Sequence, residues 1–131
     1  MRTIEQILRE SKTIAVVGLS SDPSKPSYGI AEALQSRGYT IIPVNPKEPE
    51  ILGEKAYPTL KDIPVPVDIV NVFRRPEHTP EVAAEAASIG AKALWLQSGI
   101  ANEEAEQIAT AAGLDVVMDR CIMVEHSKHR I

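Results

Sequence analysis

Apolar and polar positions along this chain follow two alternating periods. Thr13-Ile14-Ala15-Val16-Val17-Gly18 is a nearly unbroken apolar run, the pattern of a strand buried on both faces. Tyr39–Val44, Asp68–Phe73, Ala93–Gln97 and Val116-Val117-Met118 repeat that pattern. Between the runs the spacing turns helical. Ile4, Ile7 and Leu8 share one face of a short helix for which Thr3 and Gln6 form a capping box. Pro26 and Ser27 open a second helix carrying Ile30, Ala31 and Leu34, and Gly38 ends it. Thr79 as cap and Pro80 as first helical residue begin a third, stopped by Gly90. Asn102 caps a fourth, stopped by Gly113. Asn45–Pro58 is rich in Pro, Glu and Gly and reads as a loop with at most a short strand near Lys55–Tyr57. Thr59 caps a short helix through Ile63, and the tail after Met118 reads as polar.

Helices alternating with buried strands specify an α/β class: a Rossmann-like, doubly wound, mainly parallel sheet flanked by helices. No linker or repeat divides residues 1–131, so a single domain is expected. In such folds a ligand binds beyond the carboxyl ends of the strands, where the strand order reverses. The residues at those ends therefore carry the functional question.

Composition narrows the ligand classes. Apolar residues make up 44% of the chain and aromatics 4%, which suits an aliphatic core around a parallel sheet. The net charge of −4 argues against a nucleic-acid partner, yet backbone N–H groups and a few local cations still suit a small anion. One cysteine, Cys121, forms no disulfide within the chain and points to a reducing compartment. The start of the chain lacks a signal-peptide core and no apolar run reaches membrane-spanning length, so no membrane and a cytoplasmic location are expected.

The first strand ends in Gly18-Leu19-Ser20-Ser21-Asp22-Pro23-Ser24-Lys25-Pro26-Ser27-Tyr28. Gly18 permits a tight turn and close backbone approach. Ser20, Ser21, Ser24 and Ser27 supply hydroxyls, and Lys25 stands beside a helix start, so a phosphate is the expected guest. The alternative is a plain Ser/Pro loop. The segment is not a dinucleotide fingerprint, because Ser20 stands where G-x-G-x-x-G needs its second glycine; no Walker motif is present either.

The second strand ends Pro43-Val44-Asn45-Pro46-Lys47. An NAD site would place an acid here for the ribose; this chain has Asn45, with Glu48 and Glu50 lying past a proline. Lys47 could meet a further phosphate, and Asn45-Pro46 could equally be a simple turn. Val72-Phe73-Arg74-Arg75 ends the next long strand. Phe73 could line an adenine slot or plug the core, and either arginine could pair with phosphate or lie solvated. Gln97 and Ser98 are polar at the correct edge, whereas Trp95 reads as packing. His78 reads as an exposed loop residue and Glu103, Glu104 and Glu106 as a solvated helix face. Cys121 with His126 and His129 makes neither a tetrahedral metal set nor a nucleophile–base arrangement, so a buried structural thiol is expected.

Taken in order, Val17-Gly18-Leu19-Ser20, Pro43-Val44-Asn45-Pro46, Asp68-Ile69-Val70-Asn71-Val72-Phe73-Arg74, Trp95-Leu96-Gln97-Ser98-Gly99-Ile100 and Asp119-Arg120-Cys121-Ile122-Met123-Val124-Glu125-His126 resemble the small stand-alone CoA-binding domain proteins, the YccU-like group. That group is similar in fold to the CoA-binding domain of the succinyl-CoA synthetase α subunit. The resemblance implies coenzyme A as ligand. Its pyrophosphate would lie over Gly18, Leu19, Ser20 and Ser21 and the helix start at Ser27 and Tyr28, with Lys25 facing a phosphate. Adenine and ribose would lie near Pro43, Asn45 and Pro46, with Val72, Phe73 and Arg74 as the other wall. In the synthetase a glycine-rich stretch with a lysine follows the second strand; Asn45-Pro46-Lys47-Glu48-Pro49 departs from it, and Lys47 is a loose counterpart. The synthetase's phosphohistidine belongs to a second domain that lies outside this chain, so ligase activity by these residues alone is not expected.

The expected function is thus binding of CoA or an acyl-CoA without chemistry of its own. Two other readings stand beside it: an NAD(P)-binding sensor or oxidoreductase on the same fold, and an interaction module whose nucleotide site is vestigial. The sequence names no protein partner and is compatible with a homo-oligomer.

Overall fold

A computed structural model describes residues 1–131. Its framework is a five-stranded parallel sheet built from β1 (Thr13–Val17), β2 (Thr40–Val44), β5 (Ile69–Val72), β6 (Ala93–Leu96) and β7 (Asp115–Val117), in the order β2-β1-β5-β6-β7. The remaining strands, β3 (Glu50–Ile51) and β4 (Glu54–Lys55), form a small antiparallel ribbon. The helices are α1 (Ile4–Glu10), α2 (Pro26–Ser36), α3 (Thr79–Ser88), α4 (Glu103–Ala111) and α5 (Ile122–Lys128).

Alternation along each strand assigns its side chains to two layers. Ala15, Val17, Val70, Val72, Leu94 and Leu96 meet Val82, Ala83 and Ala86 of α3 and Ala105 and Ala109 of α4. Ile14, Val16, Ile41, Ile69 and Trp95 meet Ile7 and Leu8 of α1, Ala31 and Leu34 of α2 and Ile122 of α5. The two clusters hold 17 and 15 buried residues, so both faces of the sheet are covered, as continuous apolar strands require. Small alanines on α3 and α4 let these helices approach the sheet closely. Trp95 is fully buried and its indole N–H donates to the Arg120 carbonyl at 2.8 Å, so it packs and also pins the β7–α5 connection.

The local signals read from the sequence hold at most boundaries. Thr3 and Gln6 form the capping box of α1, and Asn102 caps α4 by accepting from the Ala105 N–H at 2.9 Å. The turn Leu60–Asp62 is 3₁₀, closed by Thr59 and Asp62. Three expectations are corrected. The short strand expected near Lys55–Tyr57 is the β3–β4 ribbon, with Tyr57 bridging Val44 in parallel. Thr79 does not cap α3: a 3₁₀ turn, Pro76–His78, runs directly into the helix, and the Thr79 hydroxyl donates back to the Pro76 carbonyl at 2.7 Å. The tail is not merely polar, since it forms α5, whose Ile122, Glu125 and His126 are buried, Ile122 in the α1–α2 layer. Seven residues with one deep apolar anchor give too little periodicity to read, and packing supplies the helix.

No helix is long and apolar enough to cross a membrane.

Candidate functional site

The chain leaves β1 outward to β2 and returns to β5 on the other side of β1, so the strand order reverses between β1 and β5. Beyond the carboxyl ends of β1, β2 and β5 lies a cleft of about 380 Å³. Val17, Gly18, Val44 and Asn45 form its floor, Pro46, Lys47 and Arg74 its rim, and Leu60, Val82 and Glu85 its far wall. This is the location the switch-point rule selects.

Gly18 is required where it stands. Its φ of +84° belongs to the left-handed region, and a Cβ there would lie 2.5 Å from the Phe73 carbonyl oxygen and 3.3 Å from Arg74 Cδ. The turn is drawn against both neighbours by bonds from Gly18 N–H to the Val44 carbonyl (3.1 Å) and from Phe73 N–H to the Val17 carbonyl (2.9 Å). Three loops are thereby pressed together at one point.

After Gly18 the chain descends to α2 through turns made by its own side chains. Ser27, buried, accepts the Ser20 N–H at 3.1 Å; the Ser20 hydroxyl accepts the Asp22 N–H at 3.0 Å. Asp22 accepts from both the N–H and the hydroxyl of Ser24. The Ser24 backbone N–H, then its hydroxyl, hold the Asp22 carboxyl below the usual range, with Lys25 adding to the effect. These bonds shape the loop and leave the N–H groups of Leu19, Ser21 and Ser27 without a partner in the protein. Of the three, Ser27 stands in the first turn of α2, where free N–H groups suit an anion, and Leu19 and Ser21 lie on the loop that leads to it. The Leu19 side chain is fully buried, so this residue offers only its backbone. Tyr28 is half-buried on α2 against the α1–α2–α5 layer.

Asn45 joins the second loop to the first. Its Nδ2 donates to the Leu19 carbonyl at 2.9 Å, and its Oδ1 accepts the Lys47 N–H at 2.8 Å. Pro43 is buried in β2, where its missing N–H is tolerated on an edge, and Pro46 is exposed at the rim. Glu48 accepts the Ser21 hydroxyl at 3.0 Å, a second tie across the same gap. Lys25, Lys47 and Arg74 are exposed and in no ion pair, so their charge is free for a ligand.

The structure therefore brings together Gly18, Asn45, Pro46 and Arg74 at the cleft and the stretch Leu19–Tyr28 beside it. Phe73 is half-buried toward the α1–α2–α5 layer. Val72 is fully buried in the core beneath α3 and α4 and does not line the cleft. Gln97 is buried too: its Nε2 donates to Asn71 Oδ1 at 2.6 Å and its Oε1 accepts the Ile122 N–H at 3.4 Å, so it struts β5, β6 and the start of α5. Cys121 is half-buried at the start of α5 rather than enclosed. The far wall, with His78, Glu81, Val82 and Glu85, escaped the sequence reading. Strand-end rules do not select a helix face, and Glu85 is drawn there by the Leu60 N–H, which donates to it at 3.1 Å.

With this geometry in hand, residues 12–127 match the family model for the CoA binding domain. The chain belongs to the CoA binding domain family. An uncharacterized protein of Bacillus subtilis, YneT, is 51% identical to this CoA binding domain over 124 residues, 95% of this chain and 92% of that protein. A solved structure of a hypothetical protein from Pyrococcus horikoshii superposes with a TM-score of 0.94 at 40% identity, covering 98% of this chain and 90% of the other. An ADP-forming acetate–CoA ligase of Archaeoglobus fulgidus is 38% identical over 98 residues, which are 73% of this chain but 15% of the ligase. The CoA binding domain described here thus spans a small part of that enzyme and nearly the whole of the B. subtilis relative.

Proposed function

We propose that this chain binds CoA or an acyl-CoA across the carboxyl ends of β1, β2 and β5, as a binding protein rather than a ligase. The observation that carries the reading is the pairing of two features that meet at Gly18: a cleft rimmed by the free cations Lys47 and Arg74, and beside it the stretch after Gly18, where the N–H groups of Leu19, Ser21 and Ser27 have no partner and Lys25 is exposed. Such a set suits a pyrophosphate and an additional phosphate, both of which CoA carries. Leu19–Ser27 would hold the pyrophosphate through backbone N–H groups, and Lys25 would face one of its oxygens. The cleft between Asn45 and Val82 would receive the adenosine end, with Val17 and Val44 beneath it, Leu60 in the far wall and Arg74 and Lys47 above. Membership of the family and likeness to part of an acetate–CoA ligase support this assignment. Because the matched stretch is 15% of that ligase, its overall reaction is not assigned to these residues.

An NAD-type reading fits the same residues less well. Both ends of the Asn45 amide are engaged, with Leu19 and Lys47, and Glu48 is engaged with Ser21, so no free carboxylate meets a ribose at the end of β2. Thermal unfolding with CoA, acetyl-CoA, NAD, NADP and ATP separates the readings. A ligand at about a hundred times its dissociation constant adds ~2.7 kcal/mol to the folded state. Stabilisation by CoA or acetyl-CoA above the other nucleotides is expected. A shift with NAD and none with CoA overturns the proposal, and no shift with any of them favours an interaction module.

A further inference from the structure

We propose that the cleft at the opposite, amino-terminal edge of the sheet is a second anion site, built for a phosphate-type oxyanion and independent of the CoA site. Lys12 immediately precedes β1, and Gly38 and Tyr39 precede β2, so this cleft of about 340 Å³ lies a full strand length from Gly18 and Asn45. Its wall includes Arg9, Ser11, Lys12, Arg37, Tyr39 and His126 and contains no Asp or Glu.

The acids nearby are already engaged: Glu5 pairs with Arg9 Nε of the wall at 2.9 Å, which leaves Lys12 and Arg37 as the cations open to a ligand, Asp68 accepts the N–H groups of Lys12 and Thr13, and Glu125 faces His129 at 3.9 Å. The carbonyls of the helix ends are partly covered as well. The Tyr39 hydroxyl donates to the Leu8 carbonyl at 2.7 Å, and Arg37 Nη1 donates to the Ala33 carbonyl at 3.1 Å. The Lys12 ammonium has no ion-pair partner.

Cations near helix carboxyl ends have an ordinary role in balancing the helix dipole, and Arg37 fulfils it. That role does not account for Ser11. Ser11 is 6% exposed and its hydroxyl has no hydrogen-bond partner. His126 is 4% exposed, is held edge-on against Tyr39 with ring centroids 5.8 Å apart, and neither ring nitrogen makes a hydrogen bond within the protein. Buried polar groups are ordinarily paired, so the unpaired Ser11 hydroxyl beside the Lys12 and Arg37 cations calls for an acceptor. An oxyanion supplies acceptors only. It would take the Ser11 hydroxyl, a His126 N–H, the Lys12 ammonium and the remaining Arg37 N–H groups together. Burial, then Arg37 and Arg9, hold the His126 imidazole below its ordinary value, and an anion among these groups would relieve that pressure.

The test titrates the full chain with inorganic phosphate and, in a parallel arm, acetate, with and without saturating CoA. The readout is the His126 ring proton signal in NMR, assigned by its loss in His126→Phe. Phosphate is expected to move that signal and raise the His126 pKa, acetate to act more weakly, and CoA to leave the response intact. Lys12→Ala and Arg37→Gln are each expected to weaken phosphate about tenfold. Lys12 is exposed and its side chain makes no bond in the protein, so that variant keeps the fold. A His126 signal unmoved by phosphate overturns the proposal. So does a response lost in Arg74→Ala but kept in Lys12→Ala, or one abolished by CoA. An acetate response as strong as that of phosphate overturns the phosphate assignment. The Lys12–Arg74 comparison decides the matter whether or not CoA binds.

Discussion

The Asn45 side-chain amide donates to the Leu19 carbonyl at 2.9 Å and so locks the loop after β2 onto the loop after β1. The same side chain accepts the Lys47 N–H at 2.8 Å, which turns the second loop toward the cleft. Asn45→Ala removes both bonds from a half-buried position. Equilibrium unfolding in urea should show a loss of about 1–3 kcal/mol, the sum of two modest hydrogen bonds. CoA affinity, measured by calorimetry, should fall as well, because Lys47 loses its anchor. Full affinity in the variant would mean that the second loop takes no part in the site.

Gly18→Ala and Gly38→Ala form a matched pair. Both residues have positive φ, +84° and +97°. A Cβ at Gly18 would meet the Phe73 carbonyl at 2.5 Å, whereas at Gly38 nothing lies within 4 Å. Gly38→Ala should cost about 1 kcal/mol from backbone strain alone. Gly18→Ala should cost more and should also weaken CoA, since relieving the clash pushes β1 and β5 apart at the switch point. Equal losses in denaturant melts would show that close approach is not what Gly18 provides.

Lys25, Lys47 and Arg74 are exposed and in no ion pair, so replacing each by alanine should leave stability within about 0.5 kcal/mol. Each replacement should lower CoA affinity by about tenfold and flatten its dependence on salt, because a charge-assisted contact to phosphate is lost. Calorimetric titrations at low and high salt supply both readings. A variant with unchanged affinity at both removes that cation from the site.

His126 makes stability depend on pH. Burial, then Arg37 and Arg9, lower its folded pKa from an ordinary value of 6.5. The unfolded chain therefore takes up the proton first as pH falls. The stability that His126 lends is complete above about pH 6.5 and is lost as pH drops through the lowered folded value. Between pH 7.5 and pH 5, in phosphate-free buffer, the unfolding midpoint of the wild type should fall more than that of His126→Phe. Parallel declines would show that His126 is not buried neutral.

Much of this molecule can be read from residue order alone. Continuous runs such as Ile14–Val17 and Ile69–Val72 announce strands covered on both sides, and Thr3, Asn102, Gly38 and Gly113 mark helix ends by local chemistry. The cleft follows because parallel order forces the ends of β1, β2 and β5 together, bringing Gly18, Asn45 and Arg74 to one place. What stayed hidden depends on contacts distant in sequence. α5 exists because Ile122 finds the layer of α1 and α2, not because its own seven residues favour a helix. Gln97 looks like a free polar group at a strand end until Asn71 and Ile122 are seen to occupy both sides of its amide. The cationic cleft near Lys12 joins α1, α2 and α5, and no local pattern links Ser11 to His126.

Backbone amide NMR during a CoA titration tests the central claim most directly. The account predicts saturable shifts at Leu19, Ser20, Ser21 and Ser27, at Asn45 and Lys47, and at Phe73 and Arg74, with the β7 end and α4 unaffected. Shifts absent from Leu19–Ser27, or confined to the opposite edge around Ser11 and Lys12, would contradict it.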